Sequence, residues 1–203
     1  LLTIRSVSVK PLHKNTPLAK AVFNILSEIS NIAEDKYGAL PSGTIRAFIF
    51  GGCAVHIYTN ARGSNDLDVE LEASRRLDIS ELIVELDDAD YDDEDGTHRT
   101  LTFDDTFNPA IPDLHPDWRD DSILIQSGEA VIHIYLVSAV DIAISKLGRC
   151  TSYDVNDIVS LYVAERFSIE AFTKRASEAL YYSPTPDRLR YNIAYATQVL
   201  KSI

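Results

Sequence analysis

Two acids one residue apart, Asp66 and Asp68 in "NDLDVEL", follow a glycine pair, Gly51-Gly52 in "FIFGG", with 13 residues between Gly52 and Asp66. Side chains at i and i+2 of a strand point the same way, so both carboxylates share one face and Leu67 and Val69 the other. Carboxylates held side by side repel and raise one another's pKa, a cost that a bound cation removes. Paired oxygen ligands suit Mg²⁺ (or Mn²⁺), with water and substrate phosphate completing the shell, and two such ions polarise the attacking and leaving oxygens of a displacement. The glycines add the complementary half. A backbone without Cβ turns sharply and admits a ligand, and amides at a helix start attract anions. Arg62 and Ser64, just ahead of the acids, are placed to meet the same phosphates. Together the stretch reads as a cup for a metal-chelated nucleoside triphosphate; it is not a P-loop, because G-x-x-x-x-G-K-[ST] is missing.

The elements that must hold this cup are legible around it. "TIRAFIF" reads as a buried strand, residues 53–60 as a short helix, and "DLDVEL" as one strand by its period-2 alternation. Upstream, residues 17–35 place apolar side chains at spacings of three and four, an amphipathic helix capped at Thr16-Pro17. "DISELIVELDDA" reads as a short helix with Asp78 or Ser80 at its cap. "DDADYDDEDG" has seven acids in ten residues. It fails as an EF-hand, since Gly96 at the sixth position puts Tyr91 first and Thr102 last, and it is expected to be a solvated loop. "HRTLTFDD" is a strand, the proline-rich "TFNPAIPDLHPDWRD" a structured loop, and "SILIQ" with "AVIHIYLV" a hairpin about Ser127-Gly128. After Ser138 the pattern is helical throughout. The expected fold is α/β (α+β): a mixed sheet flanked by helices over residues 1–137, with a helical part over 138–203 packed on it.

The joint pattern resembles the polymerase-β-type nucleotidyltransferase superfamily, whose signature is an apolar strand, Gly-Gly or Gly-Ser, then D-x-D on the next strand. "GGCAVHIYTNARGSNDLDV" looks most like the small bacterial AbiEii-type toxins and related uncharacterised nucleotidyltransferases. "DIAISKLGRCTSYDVNDI" resembles that group's second motif, with Lys146, Arg149, Asp154 and Asp157 at the matching positions. Lys146 and Arg149, three apart, are expected on one helical face toward phosphates, with Asp154 or Asp157 orienting them; the plainer account is a cap and a surface ion pair. "LHPDW" is also similar to this group, and loop packing is its expected role. The resemblance further implies a third carboxylate that takes the proton from the attacking hydroxyl. Asp104 is the candidate, with Asp105 its neighbour; were the relevant strand "VIHIYLV", its centre would offer His133 and no acid. His133 reads as a core histidine, His56 as packing or substrate contact, and Cys53 as a core thiol without a basic neighbour. The tyrosines of "ALYYSP" and "RLRYNIAYA" read as the polar-tipped core of a helical bundle rather than as stacking platforms.

The net charge of −12 is concentrated: residues 51–137 carry 21 acids against five bases. Such a surface disfavours nucleic-acid binding, so an RNA acceptor would need a local basic patch. No apolar run is long enough to span a bilayer, and "LLTIRSVSVKPLHK" lacks the core of a signal peptide. Leu1 in place of Met suggests a trimmed form. Two cysteines, Cys53 and Cys150, fit free thiols in the cytoplasm. The expectation is a metal-dependent transferase moving a nucleoside monophosphate from an NTP to RNA, protein or a small molecule. By resemblance it would be the toxin of a toxin–antitoxin pair, with an antitoxin protein as partner. A nucleotidyltransferase-like binding module without turnover is the alternative.

Overall fold

The computed structural model describes residues 10–74 and 77–203. The amino-terminal stretch discussed for a signal peptide therefore lies, through residue 9, outside the described residues. Thr16 caps α1 (Pro17–Tyr37) by accepting from the Ala19 amide, and Gly38 at φ 75° ends it. Its apolar stripe, Leu18, Val22, Ile25, Leu26 and Ile29, is buried, so helix identity here follows from a 3.6-residue period facing a core.

Strand β1 (Ile45–Ile49) is the centre of the molecule. It runs antiparallel to β3 (Val69–Ala73) and parallel to β7 (Ile132–Leu136), which pairs in turn with β6 (Ile123–Gln126). The resulting sheet has the order β3-β1-β7-β6. Helix α2 (Gly51–Thr59) leaves the carboxyl end of β1, and α4 (Ala139–Ser145) that of β7. All of α2 from Gly52 to Tyr58 is buried, as expected of a helix apolar on every side. It starts at Gly51, two residues earlier than the sequence suggests.

A second sheet, β2-β5-β4, joins β2 (Asp66–Leu67), β5 (His98–Phe103) and β4 (Ala89–Asp92). Two expectations are corrected here. "DLDVEL" is two strands, not one: β2 pairs with β5 and β3 with β1, so the chain changes sheets at Asp68. The acidic run is not wholly loop: Ala89–Asp92 forms a hairpin with β5, in which Tyr91 is buried while Asp90 and Asp92 face solvent. One inward residue between two outward ones meets the strand period, which the charge run concealed.

Helix α3 (Ile79–Ile83) is capped by Asp78. The proline-rich loop closes on a single 3₁₀ turn, Pro116–Trp118, whose buried Trp118 meets Phe48 and Phe50 edge-on at centroid distances of 5.3 and 4.9 Å. Beyond α4 come α5 (Ser152–Val163), α6 (Ile169–Ala179) and α7 (Pro186–Lys201). Helices α4 and α5 pack on α2, and α7 on α5 and α6; one buried apolar cluster runs from Leu18 through Leu200. Arg166 ties this part to the chain's first half, donating to the carbonyls of Tyr58, Lys10 and Pro11. The tyrosines correct the bundle-core account: Tyr181, Tyr182, Tyr191 and Tyr195 are exposed. No helix among the described residues is long and apolar enough to cross a membrane.

Candidate functional site

The glycine turn is shaped by contact with Asp68. Gly51 has φ 58°, and a Cβ there would lie 1.6 Å from Asp68 Oδ2. The carboxylate therefore rests on the bare Cα at the start of α2, while the Phe50 amide donates to the Asp68 carbonyl at 2.9 Å. Gly52 is crowded differently: its Cβ would come within 2.3 Å of the Arg62 guanidinium and 2.7 Å of Ser64 Oγ. Ser64 donates to the Asp66 carbonyl at 2.9 Å, and the buried His56 spans the Thr16 hydroxyl and the Arg62 carbonyl, both at 2.7 Å. His56 is thus a packing residue that fixes the loop behind the glycines.

Asp104, one residue beyond β5, is anchored by its amide to the Leu67 carbonyl at 3.1 Å. Its carboxylate accepts from the Thr106 hydroxyl at 2.6 Å and the Thr106 amide at 2.9 Å. The hydroxyl bond leads in holding its pKa below the usual carboxylate range. Asp68 moves the other way, to about 6, chiefly through burial and next through the charge of Asp104; Lys146 opposes the shift and Asp66 adds to it. The two carboxyls are close enough to shift one another in opposite directions, as neighbouring acids do.

Lys146 is buried at the end of α4 and pairs with Asp157 at 2.8 Å and with Asp154 at 3.9 Å. Arg149 binds Asp154 at 2.9 Å, and Arg62 approaches Asp157 at 3.5 Å. Alternating charges thus link the glycine loop to the far wall. The helical-face expectation is corrected: Lys146 caps α4 and Arg149 lies in the turn after it. They meet through Asp154, which also closes a capping box with Thr151 on α5. His133 is not a core histidine either; it is partly exposed on β7 and bonded to Ser42 at 3.0 Å. Cys53 is buried with its thiol pushed up to about 12, mainly by burial, which removes it as a nucleophile.

Gly51, Asp68, Asp104, Lys146 and Arg149 line one pocket of about 470 Å³. Asp66, Gly52, Arg62, Ser64 and Asp157 stand off its wall, Gly52, Arg62 and Ser64 behind the turn and Asp157 behind Lys146. Asp105 is exposed and outside it. Sequence reasoning missed Thr106, Phe107 and Asn108, and Arg188 at the start of α7. Arg188 makes no ion pair among the described residues, and only the folding of α7 back over the turn after α4 brings it here.

The donor set fits a divalent cation incompletely caged by protein. Asp68 and Asp104 line the same pocket and sense one another's charge, whereas no group of three or more His, Cys, Asp or Glu side chains converges among the described residues. Mg²⁺ is commonly bound in this way, by one or two carboxylates with phosphate and water supplying the rest.

A family model described as a nucleotidyltransferase of unknown function matches residues 21–201. The chain belongs to the DUF6036 family. Nucleotidyl transfer is the general activity that this family description carries, and the mixed α/β architecture with its carboxylates beside a diglycine turn agrees with it. No curated protein and no solved structure matches this DUF6036 chain.

Proposed function

We propose that this DUF6036 protein transfers a nucleoside monophosphate from a metal-chelated NTP to an acceptor hydroxyl. The observation that carries the reading is the seating of Asp68 on the bare Cα of Gly51, with Asp104 lining the same pocket. Asp68 and Asp104 would hold a divalent cation there, with Asp66 near, and the ion would supply charge neutralisation at the phosphates. Arg149 and Arg188 face the same pocket and attract the triphosphate, and Lys146, pinned between Asp154 and Asp157, presents a fixed positive charge. The acceptor oxygen bonds to the α-phosphorus, its proton passes to the Asp104 carboxylate, and the α–β anhydride bond breaks to release pyrophosphate. A toxin of the AbiEii type with an antitoxin partner remains within this proposal, resting on the likeness of the two motifs alone.

Asp66 stands off the pocket wall, which favours a second reading, a nucleotide-binding module without turnover. Incubating the chain with Mg²⁺, each α-labelled NTP and cell extract separates them. Transfer is expected, and Asp68→Asn or Asp104→Asn should lower it on the order of 100-fold or more. Triphosphate binding with no label transferred in any extract sinks the enzyme.

A further inference from the structure

A second groove, about 490 Å³, opens beside the first pocket, and Asn108 and Pro112 line both. Asp113 lies in its wall. The residue is only 5% exposed, and its Oδ1 has no hydrogen-bond partner among the described residues. Its Oδ2 packs behind Gly148, 3.2 Å from where a Cβ would stand; Gly148 itself lines the first pocket. A buried carboxylate with an unmade bond is costly, and the cost disappears when a donor arrives.

The groove's own cation is spent elsewhere. Arg119 bonds Glu72, lies 3.6 Å from Glu70, and stacks 4.2 Å over the Trp118 ring. Asp113 pairs with neither Arg119 nor His115. The surplus charge of the groove is therefore negative. Its rim is aromatic: Tyr182, 55% exposed, meets the His115 ring edge-on at 5.8 Å. An unpaired carboxylate flanked by aromatic faces is a setting for an ammonium group.

We infer that this second groove is the acceptor subsite, and that it takes a small molecule bearing a protonated amine, anchored at Asp113 and walled by Tyr182. The inference rests on the transferase reading above for the word acceptor, and on Asp113 alone for the amine. The anchored amine stays intact; a hydroxyl elsewhere on the same molecule is the group that reaches the first pocket.

The test is calorimetric titration of the full chain with matched probes, glucosamine against glucose and putrescine against 1,4-butanediol. Amines should bind and the polyols should not. Asp113→Asn should weaken amine binding roughly 10- to 100-fold, the range of a lost charge-assisted bond, while leaving Mg²⁺-triphosphate binding unchanged. It should also raise the melting temperature of the ligand-free chain, which a carboxylate serving only to hold the loop would not do. Tyr182→Ala, on the rim, gives an independent loss of amine affinity if the Asp113 variant does not fold. Equal binding of amines and polyols, no binding of either, or an amine affinity indifferent to both substitutions overturns the inference. Triphosphate binding that fails while Asp113-dependent amine binding holds counts against the transferase reading alone.

Discussion

Asp68 answers to two opposed demands. Burial against Gly51 and the neighbouring Asp104 charge raise its pKa to about 6, against an ordinary 3.8. The folded chain thus keeps a proton that the unfolded chain has already released. This contribution to stability is complete below about pH 4 and is lost as the pH climbs through about 6, a swing on the order of 3 kcal/mol. Asp68→Asn removes the penalty. In EDTA near pH 7.5 that variant should melt above the parent chain, with the gap closing near pH 4, and it should no longer respond to Mg²⁺. A variant that melts lower at both pH values would show that the charged carboxylate holds the fold together. The type and spacing of this acid were readable from the D-x-D pattern. Its partnership with Asp104 was not, because the 35 positions between them are bridged only by the pairing of β2 with β5.

Among the elements, the turn between β1 and α2 tolerates least. Gly51→Ala meets a positive φ and a carboxylate oxygen together, and should cost roughly 2–4 kcal/mol. Gly52→Ala meets no positive φ; it crowds the tip of Arg62 and the Ser64 hydroxyl, which can turn aside, and Ser64 Cβ at 3.1 Å, which must give by a few tenths of an ångström, so its cost should be the smaller of the two. Urea denaturation of the two variants reads the difference, and equal losses would mean that Asp68 is not seated on Gly51. Element type was legible wherever one face is apolar, as in α1, β1, and the β6–β7 hairpin. It was hidden in β4, where only Tyr91 turns inward, and at Asp68, where alternation continues unbroken although the hydrogen-bonding partner changes. Periodicity reports which side of a strand is wet; it carries no record of which strand lies alongside. The tyrosines of α7 failed for the complementary reason, since aromatic content does not say which face of a helix meets water.

At the scale of the molecule, the acidic middle of the chain and its pocket have different electrostatics. Asp90, Asp92, Glu94 and Asp95 of β4 and its turn face solvent, whereas Lys146, Arg149 and Arg188 bring positive charge from the carboxyl-terminal helices to the pocket. The helical part is also structural, because α4 and α5 cover the fully apolar α2 and Arg166 bonds three carbonyls of the first half. A fragment ending at residue 137 should therefore lose fixed side-chain packing. Amide spectra of that fragment would show collapsed dispersion, and well-dispersed native-like signals would establish an independent core instead.

The strand that changes allegiance at Asp68 has a mechanical corollary. One ladder holds the chain just before this residue and another just after it, so the carboxylate sits on a seam between two separately tethered plates. Any slippage of one plate against the other is concentrated there. Ion affinity would then register strain in the scaffold before any helix or strand had begun to melt.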